Sequence, residues 1–278
     1  MFGLPWHILL PTLLGSLLAG ALSSALGVFV IRMKLTSLGF AMSHAAFAGA
    51  ALGILLGVAD PIWMALVLAL LAAAILGPLA DASRMSVDTI LAVVFPVTMA
   101  LGLVFLNLAP SSGIGNGALS LLWGSLLGIT MPHVLVLAAV AGVFVAVLLV
   151  FWKPFFALLL DRKLALASGL PVDGPFYALL FLVALVVATS LRVTGGLLIY
   201  SLMILPASAA LQWVYDIKKA LLLAPTFGIA ASLGGAVLSL MVDLPMGAAI
   251  TIVAAGIFLL SVVASPKRRR ARAGAHPV

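Results

Sequence analysis

The sequence predicts an all-α, polytopic helical membrane protein of about nine spanning helices, N-terminus outside and C-terminus inside. Three observations predict it. Hydrophobic residues make up 65% of the chain and charged residues 8%, at a mean hydropathy of +1.37, whereas a soluble domain carries about 25% charged residues. Apolar runs long enough to cross a bilayer recur along the whole length. Lys and Arg fall at alternate ends of those runs. A soluble α-domain could not cover so much apolar surface. A β-barrel would show short segments of strict alternation, which are absent.

The first run, 8–31, follows MFGLPWHILLP. That stretch has no positive n-region and no small-residue cleavage site, so it reads as the start of a helix and not as a signal peptide. The second run, 36–58, contains GFAMSHAAFAGAALG, with one histidine in an otherwise apolar stretch. Runs three and four cover 62–80 and 87–108. The polar turn PSSGIGNG then leads to ALSLLWGSLLGIT, 118–130, which is too short to span and reads as a re-entrant or interfacial piece. Run five is 133–151. It is followed by KPFFALLLDRKLALASGLPVDGP, too charged to span comfortably, with Asp161, Arg162, Lys163 and Asp173. A short helix at about 159–168, ended by Gly169 and Pro171, fits that stretch. Runs six to nine are 175–190, 195–213, 220–241 and 246–264.

With the N-terminus outside, thirteen of the fourteen Lys and Arg lie inside and only Arg192 lies outside. The alternation works only if 118–130 does not cross. The chain divides into a transmembrane domain, 1–264, and a basic cytoplasmic tail, 265–278. Five basic residues crowd that tail, and the remainder are scattered between apolar runs. The pattern argues for a membrane-surface anchor and against a nucleic-acid partner. There is no cysteine, hence no disulfide and no thiolate metal site.

Five stretches, in order, resemble the permeases of bacterial metal-type ABC importers, the zinc, manganese and iron uptake group. SHAAFAGAALG is similar to that family's SHA-x-x-x-G-x-A-x-G segment, and VDTILAVVF to its EDTAIGIVF-type helix start. LSLLWGSLLGIT resembles LLFGxILxIx. LDRKLALASGLPV resembles FD-x-E-x-A-x-x-x-GLPV, and GGLLIYSLMILPASAA resembles GxLL-x-x-ALLIxPAATA. The similarity covers nearly the whole chain. It implies a helical permease fold working as a homodimer, with two cytoplasmic ATP-binding-cassette ATPases and an extracytoplasmic metal-binding protein. The implied site is the bacterial inner membrane, and the implied cargo a divalent transition metal, zinc or manganese first and iron next. It also implies that the loop at 159–172 is the coupling helix seated in the ATPase, through Asp161, Arg162, Ala165, Gly169, Leu170 and Pro171. No G-x-x-x-x-G-K-[ST] loop occurs, so ATP belongs to a partner and this chain needs no cofactor of its own.

His44 is the one mid-helix histidine of four. In much of that family an Asp stands four residues before it, where the pair would share a helix face and offer O and N ligands. Here Phe40 stands there, and one His cannot make a tetrahedral zinc site. His44 either lines the pathway, contacting a passing ion, or is structural, hydrogen-bonded to a neighbouring helix or to Ser43. A Ser43–His44 catalytic dyad is disfavoured, because adjacent helical residues diverge by about 100°. Ala41, Ala45, Gly49 and Gly53 form a small-residue stripe suited to tight packing beside it. Pro206 reads as a kink or a gating hinge, with Ser201 and Ser208 able to satisfy freed backbone groups. Met203, Met241 and Met246 are soft ligands or, more simply, packing. Asp60, Arg192 and Asp243 sit at outer loop edges, as docking charges or plain anchors. Phe40 in place of Asp also suits a carrier of a chelated metal or small solute. A membrane-embedded enzyme would need convergent polar residues, and a secondary transporter an intramembrane acid. Every Asp here falls at or near a helix end.

Overall fold

The computed structural model describes residues 6–109, 129–160, 173–195 and 199–267, leaving aside the side chains of 160 and 192–194. Ten α-helices lie in these residues: α1 (Trp6–Arg32), α2 (Leu38–Leu55), α3 (Ile62–Ser83), α4 (Val87–Leu108), α5 (Met131–Val150), α6 (Trp152–Leu160), α7 (Asp173–Thr194), α8 (Ile199–Trp213), α9 (Ile217–Val242) and α10 (Met246–Ala264). Eight are long and apolar enough to cross a membrane, and α8 is a shorter apolar helix of 15 residues. No strand occurs among the described residues.

Helix ends follow local chemistry. Ser86 caps α4 by accepting from the Thr89 amide at 3.2 Å. Asp216 caps α9 by accepting from the Lys218 amide at 2.8 Å. Lys34 and Arg84 adopt the left-handed conformation after α1 and α3, with φ of 58° and 55°. The turns are closed by Leu35 N–H to Val30 O (2.9 Å) and Met85 N–H to Ala80 O (3.2 Å). Both place a cation where helix carbonyls are unpaired, which suits the dipole. Within the spans, hydroxyls bond back one turn, as in Thr12 to Ile8 O (2.8 Å) and Thr98 to Val94 O (2.9 Å). That removes polar groups from lipid.

Packing sorts the helices by composition. Seventy-eight per cent of the apolar stretch of α2 and 72% of those of α1 and α7 are buried, against 17% for α4 and 22% for α5. The interior helices are small-residue rich where backbones meet. Gly20 of α1 lies against Gly228 and Ser232 of α9, and Gly27 of α1 lies against the Met203 carbonyl of α8. Gly49 and Gly53 of the α2 stripe lie against Met64 and Pro61 at the start of α3, the tight-packing role expected of them.

The two ends of the bundle can be told apart from contacts. At one end, Lys267 donates to Leu211 O (2.5 Å) and Val214 O (2.7 Å), and Ser265 donates to Gln212 O (2.9 Å). Burial, and after it the charge of Arg32, push the Lys267 ammonium below the usual lysine range. The first residues of the basic tail are therefore tied to the C-terminus of α8. At the other end, Asp60, between α2 and α3, pairs with His133 of α5 at 3.3 Å. Since α3 and α4 both lie between Asp60 and Leu108, the chain leaves α4 on the face where α5 begins. That shared side for the end of α4 and the start of α5 is in keeping with the charge count. Residues 110–128 themselves lie outside the described residues.

The sequence ended run five at 151 and began a short helix near 159. A separate helix, α6, starts at Trp152, directly after a turn at Phe151, and the short helix expected at about 159–168 lies almost wholly outside the described residues. Phe155 anchors it to Phe29 of α1, ring centroids 5.5 Å apart.

Candidate functional site

α2 sets Phe40 and His44 one turn apart on the same face, and their rings meet edge-on at 4.7 Å and 84°. α4 adds Phe95, 4.7 Å from His44 and 4.5 Å from Phe40. α8 adds Tyr200, 5.4 Å from Phe40. The imidazole is 1% exposed, and neither Nδ1 nor Nε2 has a hydrogen-bond partner among the described residues. A buried ring with two unsatisfied nitrogens is costly unless something transient satisfies it. Ser43 donates its hydroxyl to Phe40 O at 2.8 Å. It is thus spent on its own helix, and the geometry holds no nucleophile–base pair.

This arrangement offers one neutral nitrogen ligand inside an aromatic collar, with ring faces that attract cations. No group of three or more His, Cys, Asp or Glu able to hold a metal occurs among the described residues. Such a site can contact a passing ion but not retain it. The sequence reading missed Phe95 and Tyr200 as neighbours of His44. Both lie in stretches already marked by the resemblance, VDTILAVVF and GGLLIYSLMILPASAA, which was the available signal.

Pro206 is buried inside α8. The Ser201 hydroxyl reaches a neighbouring helix, meeting Thr251 Oγ1 of α10 at 2.7 Å. Ser208 is half-buried two residues beyond the proline. Met203 and Met246 are buried and Met241 is exposed. Met203 packs its sulfur against Gly39, so it serves as filler. On the Asp60 end, Asp60 also accepts from the Ile62 amide at 3.1 Å. His133 was not expected as its partner. Asp243 is an exposed left-handed residue after α9. Arg192 lies in α7, its side chain outside the description. Asp161, Arg162, Ala165, Gly169, Leu170 and Pro171 all lie outside the described residues.

Known proteins resemble this chain end to end. It is 29% identical over 264 residues to the manganese import system permease protein ScaB of Streptococcus gordonii, covering 95% of this chain and 94% of the relative. It is 29% identical over 257 residues to the high-affinity zinc uptake system membrane protein ZnuB of Haemophilus influenzae, covering 92% and 97%. Among solved structures, PsaBC from Streptococcus pneumoniae in complex with Fab superposes with a TM-score of 0.84 at 30% identity, covering 95% of this chain and 94% of that one. The sequence pattern of the ABC 3 transport family matches residues 6–265, nearly all of this chain. With its helical bundle, the ordered motifs and that match in agreement, this chain belongs to the ABC 3 transport family.

Proposed function

We propose that this chain is the membrane-spanning subunit of an ATP-driven importer of a divalent transition metal, manganese or zinc, working as a homodimer in the bacterial inner membrane. Its relatives named for manganese and zinc uptake support the cargo. The observation that carries the pathway is the orphaned imidazole of His44, held by α2 within the collar of Phe40, Phe95 and Tyr200. A passing cation exchanges part of its hydration for one imidazole nitrogen. The lack of a second strong ligand lets it leave, as conduction requires.

A partner ATPase supplies the driving force, and an extracytoplasmic metal-binding protein delivers the ion, docking against outer charges such as Asp60, Arg192 and Asp243. In this reading the ATPase acts on the stretch 159–172. α6 leads into that stretch and is wedged on α1 by Phe155 and Phe29. α1 in turn meets α8 at Gly27 and Met203. A push on 159–172 therefore has a packed route to the helix that bears Tyr200 and Pro206.

One observation favours a second cargo. The site has aromatic rings where an acid would serve a bare ion, and flat apolar walls suit a chelated metal. The deciding experiment is ATP-dependent uptake by proteoliposomes holding this chain and its ATPase. It is run with manganese, zinc and iron as free ions and then with chelates. Uptake of free manganese or zinc is expected. Uptake of chelates alone would replace the bare ion as cargo, and no stimulation of any ATPase would overturn the importer reading.

A further inference from the structure

Two lysines and two aromatic rings meet at the Lys267 end of the bundle, away from His44. Trp152, Lys153 and Phe156 of α6 and Lys218 of α9 line an open cleft of ≈ 280 Å³. The Lys218 ammonium stands 5.9 Å from the Trp152 ring centroid, and Trp152 packs on Phe156 at 5.3 Å. Both lysines are exposed, and neither is ion-paired among the described residues. The adjacent carboxylate, Asp216, is engaged with the Lys218 amide as a helix cap.

The surroundings of the cleft are apolar and face outward. Leu149 and Val150, at the end of α5, are 72% and 74% exposed, and Leu222, one turn beyond Lys218 on the same side of α9, is 73% exposed. A charged, aromatic-edged cleft beside bare aliphatic side chains matches the layering of a lipid: headgroup, interface, chains.

We propose that this cleft binds an anionic phospholipid, with its phosphate between Lys153 and Lys218 and its acyl chains along Leu149, Val150 and Leu222. Lysine serves here as a point charge on a flexible stem, able to follow a mobile headgroup. Trp152 follows directly after α5, a helix long enough to cross a membrane, and tryptophan is favoured at the boundary of water and hydrocarbon. The bound lipid bridges α6 to α9, and so steadies the helix that leads into 159–172. A free phosphate would meet the same two ammonium groups but leave the aliphatic strip uncovered.

The test is native mass spectrometry of the full chain, released from nanodiscs containing equal amounts of phosphatidylglycerol and phosphatidylcholine. The wild type should retain phosphatidylglycerol in preference. The double variant Lys153→Gln/Lys218→Gln should lose about thirtyfold in that retention, at the usual contribution of each lysine near an anionic surface. Lys153→Arg/Lys218→Arg, which keeps the charge, should retain it. Lys219→Gln, next to the cleft but not lining it, should leave retention unchanged. The proposal is overturned if the double Gln variant keeps its lipid, or if Lys219→Gln loses as much. It is also overturned if millimolar inorganic phosphate displaces the lipid as well as another lipid does. The same holds if Lys153 is shielded from acetylation only by added ATPase and not by phosphatidylglycerol vesicles.

Discussion

Replacing His44 with leucine separates stability from transport. Both ring nitrogens of His44 are buried without partners among the described residues, and each such group costs about 1–3 kcal/mol. Leucine occupies a similar volume and carries no polar atom. It forfeits the ring contacts with Phe40 and Phe95, worth about 0.5–1.5 kcal/mol each. The balance favours His44→Leu by about 1–3 kcal/mol, a rise in Tm of several degrees for a chain of this size. The assay is thermal unfolding of the detergent-purified protein, paired with ATP-driven metal uptake in liposomes. Expected together are a higher Tm and lost uptake. A lower Tm would mean that the imidazole is held by bonds of the resting protein, and the pathway argument would fail at its base. A higher Tm with full uptake would strip the residue of any role in transport.

Other substitutions test the frame around it. A methyl added at Gly27 would fall 1.8 Å from the Met203 carbonyl, while one added at Gly142 meets nothing. Gly27→Ala should therefore cost about 1–3 kcal/mol. Gly142→Ala, on the open face of α5, should gain about 0.5–1 kcal/mol; equal effects in thermal unfolding would refute the close approach of α1 and α8. Lys267→Ala removes two bonds to the end of α8 and should lower stability by about 1–3 kcal/mol, since bonds from a charged donor exceed neutral ones; an unchanged denaturation midpoint would show the cap to be idle. Gly169→Val, in the stretch proposed to meet the ATPase, should abolish ATP-coupled uptake while leaving Tm unchanged. Full uptake in that variant would remove the stretch from the coupling route.

The spans were legible because lipid imposes a simple demand: no unpaired backbone and few charges over a bilayer's width. Lys and Arg marked where the spans end and suggested which side each end faces. The arrangement of the spans was not. α5 and α4 have hydropathies of 2.8 and 2.5 yet lie outermost, while α2, at 1.6, is the most buried. Hydropathy measures fitness for lipid, and an interior helix needs small residues for close approach more than it needs apolar ones. The stripe at Ala41, Ala45, Gly49 and Gly53 carried that information, though not the identity of the helix it would meet. Likewise His44 stood out in its apolar run, but Phe95 and Tyr200 lie far from it in sequence, and only tertiary packing brings them to it. The Asp60–His133 pair joins residues 73 apart and left no local mark.

α8 is fastened near both ends to the same neighbour. Ser201 is pinned to Thr251 of α10 at one end, and at the other Leu211, Gln212 and Val214 are gripped by the Ser265–Lys267 extension of α10. Pro206 lies between the two clamps. A beam held at both supports can bow but cannot swing, so any displacement at Pro206 moves the middle of α8 sideways while its ends stay with α10.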